Sequence, residues 1–136
     1  AASGCRRSNQ TAHDALEAAG LGADAHRTAG TLSHGAKRQL EVAMCIATRP
    51  RVLLLDEPLA GMGAEETDRM LTLLSNLKRS HAILLVEHDM DAVFRIADRI
   101  TVMVNGMVIA TGNPAEIRQN PEVRAAYLGE SYLDVP

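Results

Sequence analysis

Aromatic side chains are almost missing from this chain: it has no Trp, one Phe and two Tyr. Phe94, Tyr127 and Tyr132 fall in no basic cluster, so the sequence supplies no stacking platform for nucleic-acid bases. Charge of one sign is missing too. Lys and Arg total 14 against 17 for Asp and Glu, a formal net charge of -3, and no nucleic-acid partner is expected. The only cysteines, Cys5 and Cys45, form no disulfide framework and no metal-ligand pattern. Two free thiols in a reducing cytoplasm are expected, with Cys45 packed in the core within the apolar stretch 43–47. The longest apolar runs, such as 82–86, are far shorter than the ~20 residues that cross a bilayer, so any membrane role goes through a partner. Residues 1–7 show neither an initiating Met nor an apolar signal core, which suggests a piece of something longer.

One further absence concerns chemistry: no Gly-rich phosphate loop of the form G-x-x-x-x-G-K-[ST] exists. Residues 30–38 come near it. There the Lys stands one place late, Arg38 replaces the hydroxyl residue and no apolar strand precedes, so this stretch is not a phosphate cradle.

At 136 residues the chain suits a single modest core. A weakly periodic stretch over 13–19 predicts a short helix stopped by Gly20, and a polar connection rich in Gly and Ala runs on to Thr31. Ser33 is placed to cap a helix reaching about Thr48, with Leu40, Ala43, Met44 and Ala47 on its apolar face and Pro50 beyond its end. The continuous apolar runs 52–55 and 82–86 read as strands covered on both faces in a parallel sheet. Between them, a helix over 64–79 carries acidic residues early and basic ones late, as the helix dipole favours. A helix over 90–97 follows, then strands over 100–104 and 107–110 around Asn105-Gly106, a tight-hairpin signal. Helical pieces follow Pro114 and Pro121, and 130–136 read as a surface tail. The class is α/β, mostly parallel, with a carboxyl-terminal antiparallel hairpin.

Three segments carry chemistry. In the first, the strand Val52-Leu53-Leu54-Leu55 delivers Asp56 and Glu57 at its carboxyl end, where ligands of open α/β sheets bind. A strand-end Asp can hold hydrated Mg²⁺ and the following Glu can polarise a water, although an ordinary strand end turning at Pro58 is also compatible. In the second, Ser33-His34-Gly35-Ala36-Lys37-Arg38 opens a helix whose free N–H groups suit an anion. Lys37 and Arg38 oppose that helix's own dipole yet would suit a polyphosphate; a plain cap with solvated basic residues fits as well. In the third, His88 follows the second apolar strand, positioned either to meet a terminal phosphate or to serve as a surface or cap residue.

In this order the segments resemble the ATP-binding subunits of ABC transporters, over nearly the whole chain. Leu32-Ser33-His34-Gly35-Ala36 is similar to the signature motif, Leu53-Leu54-Leu55-Asp56-Glu57 to the Walker B strand, Leu59-Ala60-Gly61-Met62 to the D-loop and His88 to the switch histidine. His34 replaces a frequent Gly, Ala36 a usual Gln or Glu, and the D-loop lacks a frequent Asp. The wording of 57–63 and 86–90, and the ending Asn120-Pro121-Glu122-Val123 with Ala126-Tyr127-Leu128-Gly129, resembles importers of branched-chain amino acids.

The resemblance implies a partial P-loop NTPase-like domain lacking the phosphate loop and the glutamine loop: 1–48 a remnant of the helical subdomain, 49–136 a portion of the α/β core. It further implies that two subunits, identical or different, sandwich ATP. Ser33 and the N–H groups of His34 and Gly35 would contact the γ-phosphate held mainly by the opposite subunit. Asp56 would organise Mg²⁺ through water, Glu57 would be the general base and His88 would contact the γ-phosphate. Implied partners are integral-membrane permease subunits and, indirectly, a solute-binding protein outside the membrane; the implied location is peripheral, on the cytoplasmic face. Little ATPase activity is expected of the isolated chain. The alternatives are a non-catalytic interaction or regulatory fragment and a piece of an ABC-type DNA-repair ATPase, the latter disfavoured by the lack of a heptad run.

Overall fold

A computed structural model describes residues 2–128. The tail expected over 130–136 lies outside the described residues. The chain divides into two compact units, Ala1–Glu87 and His88–Pro136.

The first unit opens with helix α1 (Ala2–Ala18), followed by 3-10 turns at Gly22–Asp24 and Ala29–Thr31. Its helix starts well before the expected residue 13. The polar residues there break the apolar period without breaking the backbone: Ser8 and Thr11 return their hydroxyls to the carbonyls of Gly4 and Arg7. Helix α2 (His34–Ala47) packs on α1, and Gln39 Nε2 donates to the Ala19 carbonyl at 3.0 Å.

Strand β1 (Val52–Asp56), helix α3 (Ala64–Leu77) and strand β2 (Ala82–Val86) complete the unit. β1 and β2 pair in parallel with Leu54 opposite Leu84, a crossover through a helix as parallel pairing requires. Helix α3 supplies much of the core: Met70, Leu71, Leu73, Leu74 and Leu77 are buried, a stripe at helical spacing.

Two expectations fail here. Leu53 is buried, but Val52, Leu54, Leu84 and Val86 are 54, 73, 61 and 55% exposed, so the strands are covered on one face and bare on the other. On α2 the buried positions are Gly35, Val42 and Ala43, whereas Met44 is 66% exposed and Cys45 is a free, exposed thiol rather than a core residue. Apolar character marks a face suited to burial, yet these positions stay exposed, with Cys45 and Leu54 on the wall of one cavity.

The second unit contains α4 (Met90–Ile96), strands β3 (Ile100–Val104) and β4 (Met107–Gly112), α5 (Pro114–Gln119) and α6 (Pro121–Val123), extended by a π-helical turn over Arg124–Leu128. β3 and β4 form the expected antiparallel hairpin. Asn105 (φ 50°) and Gly106 (φ 78°) both take left-handed backbone, as a type I′ turn demands, and Ile109 is the extra residue of a bulge between the pairs Val102–Ala110 and Met103–Val108. Phe94, Ile100, Val102, Ile117 and Val123 make this unit's core. Asn113 and Glu116 form a capping box at α5, and Asn120 caps α6.

Candidate functional site

Asp56 ends β1, and its exposed carboxylate lines a cavity of about 200 Å³ together with Arg38, Glu41 and Cys45 of α2 and Pro58. Glu57 extends the ladder by one bond, its N–H donating to the Val86 carbonyl at 2.8 Å. Its φ is 45°, in the left-handed region where a long side chain is uncommon. This turns the chain out of extended backbone immediately after Asp56.

The segment after Glu57 is held from the neighbouring strand's end. Glu87 accepts from the Leu59 N–H through its carboxylate at 3.0 Å. Sequence reasoning passed over Glu87 in favour of the adjacent His88. The available signal was an acidic residue placed directly after a strand that pairs with β1.

The signature-like helix start is built as expected and more tightly tied than expected. Ser33, in extended backbone (ψ 166°), caps α2 by accepting from the Ala36 N–H at 3.2 Å. His34 Nε2 lies 2.9 Å from the Ala60 carbonyl oxygen, joining this turn to the one after β1. Ser33 Oγ donates to Glu66 Oε1 at 3.0 Å and the Gly35 N–H donates to the same oxygen at 3.1 Å. Glu66, in the first turn of α3, was not a predicted site residue. The Ser33 hydroxyl holds its carboxyl below the ordinary carboxylate range, followed by the Gly35 amide; desolvation opposes this, while the Gly63 amide and the Arg69 guanidinium add to it.

Beside Ser33 lies a cleft of about 570 Å³ whose wall includes Arg27, Gln39 and Arg69. Both guanidinium groups have carboxylate partners at 2.8 Å, Arg27 with Asp24 and Arg69 with Glu65. The structure thus brings together Ser33, His34 and Gly35 with the turn after β1 and with Glu66, and puts Asp56 and Arg38 of α2 on the wall of one cavity. His88 opens the second unit, exposed, next to Asp89, which caps α4 by accepting from the Ala92 N–H at 3.1 Å. No group of three or more His, Cys, Asp or Glu among the described residues forms a metal cage. A hydrated Mg²⁺ held by one carboxylate and by phosphates requires none.

Two family models match the chain, "ABC transporter" over residues 3–60 and "Branched-chain amino acid ATP-binding cassette transporter" over residues 107–132. Together with the relatives below, these matches set the class: the chain belongs to the ATP-binding cassettes of ABC transporters. Within that family it is 48% identical over 118 residues to the high-affinity branched-chain amino acid transport ATP-binding protein BraF of Pseudomonas aeruginosa, covering 85% of this chain and 46% of that protein. It is 47% identical over 118 residues to LivG of Escherichia coli (strain K12), a protein of the same description, with the same coverage. The ADP conformation of MJ1267, an ATP-binding cassette of an ABC transporter, superposes with a TM-score of 0.80 at 29% identity, covering 91% of this chain and 51% of that one. The chain spans about half the length of the curated relatives it matches.

Proposed function

We propose that this chain is the later part of the ATP-hydrolysing subunit of an importer for branched-chain or related amino acids, residues 1–48 belonging to its helical subdomain and 49–136 to its α/β core. The observation that carries the reading is Glu57, held in left-handed backbone directly after Asp56 at the carboxyl end of the parallel pair. In this reading Asp56 holds Mg²⁺ through water, and Glu57 takes the proton of the attacking water. When bound, Mg²⁺ supplies charge neutralisation on the phosphates. Ser33 and the N–H groups of His34 and Gly35 receive the terminal phosphate of ATP carried by a second ATPase subunit; that two of these donors already hold a carboxylate oxygen supports their fit to an anionic one. His88 contacts the γ-phosphate.

Partners in this reading are that second subunit, the membrane permease and, through the permease, a solute-binding protein. The site of action is the cytoplasmic face of the membrane; no described helix is long and apolar enough to cross it. Positioning and charge stabilisation dominate phosphoryl transfer, so a chain without its main phosphate ligand turns over little. Phosphate-release assays test this on the chain and on a subunit extended upstream to the length of its relatives. The longer protein should lose activity about a hundredfold or more on Glu57→Gln. Glu57-dependent turnover by the 136-residue chain alone at ordinary enzyme rates contradicts the reading.

A further inference from the structure

Two of the proposed phosphate donors are already in use. The Ser33 hydroxyl has one proton and the Gly35 amide one, and both are given to a single oxygen, Oε1 of Glu66, at 3.0 and 3.1 Å. A phosphate oxygen therefore cannot take these hydrogen bonds while Glu66 keeps them. The approach depends on Gly35 having no side chain, since a Cβ there would lie 2.6 Å from Oε1 and from the carboxyl carbon. Glu66 also occupies the third position of α3 and turns back on the N-cap amide of Gly63, half of a capping box. One carboxylate thus binds the starts of two helices that the chain separates by 30 residues.

We propose that Glu66 is a displaceable internal anion: it holds the Ser33 and Gly35 donors in their receiving geometry while no phosphate is present, and it must swing out before a phosphate engages them. The inference rests on the reading of Ser33 and Gly35 as phosphate donors. Its physical content is competition. A carboxylate and a phosphate oxygen make the same charge-assisted bonds to the same two protons, and two anions cannot share that position. The latch also joins two elements, because Glu66 stands in the first turn of α3 and its partners stand at the start of α2; the turn after β1 stays tied through His34 to Ala60 and Glu87 to Leu59. Arg69 of α3 adds a favourable charge to the carboxylate.

The test uses the ¹⁵N-labelled chain, its Glu66→Gln and Glu66→Ala variants, and inorganic pyrophosphate as the probe. Amide exchange at Gly35 should accelerate about tenfold in Glu66→Ala, as expected when a hydrogen bond to a charged acceptor is lost. Pyrophosphate should shift the Gly35 amide resonance of Glu66→Gln at about one tenth of the concentration that the parent chain needs. Exchange read by mass spectrometry on peptides spanning 32–38 repeats the first measurement if self-association broadens the spectra. An unchanged Gly35 amide in both variants, equal pyrophosphate response in parent and Glu66→Gln, or no response in either overturns the proposal. Loss of the catalytic reading shows elsewhere, as turnover of the longer subunit that ignores Glu57, and leaves the Gly35 result standing.

Discussion

His34 Nε2 lies 2.9 Å from the carbonyl oxygen of Ala60, and because a carbonyl only accepts, this ring nitrogen carries the proton. The bond ties the start of α2 to the turn after β1 across 26 residues of sequence. Gly61 lies under the same ring: its φ is 74°, and a Cβ there would sit 3.2 Å from Nε2. Gly61→Ala should therefore destabilise the first unit by about 1–2 kcal/mol from left-handed backbone alone. Adding His34→Ala relieves the contact but keeps the backbone cost and removes the bond to Ala60, so the double variant stays less stable than the parent. Urea denaturation measures both; a Gly61→Ala chain as stable as the parent counts against this geometry.

Glu66 makes a second, pH-dependent prediction. Its folded-state pKa is lowered, chiefly by the Ser33 hydroxyl and then by the Gly35 amide, with Gly63 and Arg69 contributing and desolvation opposing. A group whose folded pKa lies below its unfolded value contributes stability that is complete above the unfolded pKa and lost as pH falls through the folded one. Stability of the parent chain relative to Glu66→Gln should accordingly be greatest at neutral pH and shrink on acidification below the ordinary carboxylate range. Denaturant midpoints of both chains across that range give the difference directly. A gap that widens in acid reverses the sign and rejects the assignment.

What was legible in the sequence is what short-range chemistry decides. Ser33 as a cap, Asp56 and Glu57 at a strand end and Asn105-Gly106 as a hairpin each follow from a few adjacent residues, and the structure builds all three. Glu66 escaped because its partners stand about thirty residues away, and half a capping box from Gly63 was its only local trace. Glu87 escaped for a related reason, since its bond to Leu59 exists only once β1 and β2 are paired. Cys45 and Leu54 were misjudged differently: apolar character says that a surface favours burial, not that anything within reach covers it.

In the second unit the hairpin turn offers a local test. Gly106 sits at φ 78° with no atom near a Cβ position, so Gly106→Ala introduces backbone strain and no clash. The expected loss is about 1–2 kcal/mol. Asn105 at φ 50° is of a type that tolerates this region, and Asn105→Gly should cost far less. Thermal unfolding of the two variants ranks them; equal Tm values would mean that the turn is not of the primed type.

The bare face of the parallel pair sets the last prediction. Leu54 and Leu84 are register partners, 73 and 61% exposed, with Val52 and Val86 along the same face at 54 and 55%. In a two-stranded parallel sheet these side chains form one contiguous apolar stripe, and each strand also presents an outer edge. Covering a Leu side chain fully gains about 1.5–3 kcal/mol, so a second copy of this surface is a ready acceptor. The isolated chain should self-associate, and Leu54→Thr with Leu84→Thr should reduce that association. Thr is β-branched and favoured in strands, so it costs them little. Sedimentation velocity over a concentration series distinguishes the cases. A parent chain that stays monomeric, or a double variant that associates equally, shows that the stripe is not the contact surface.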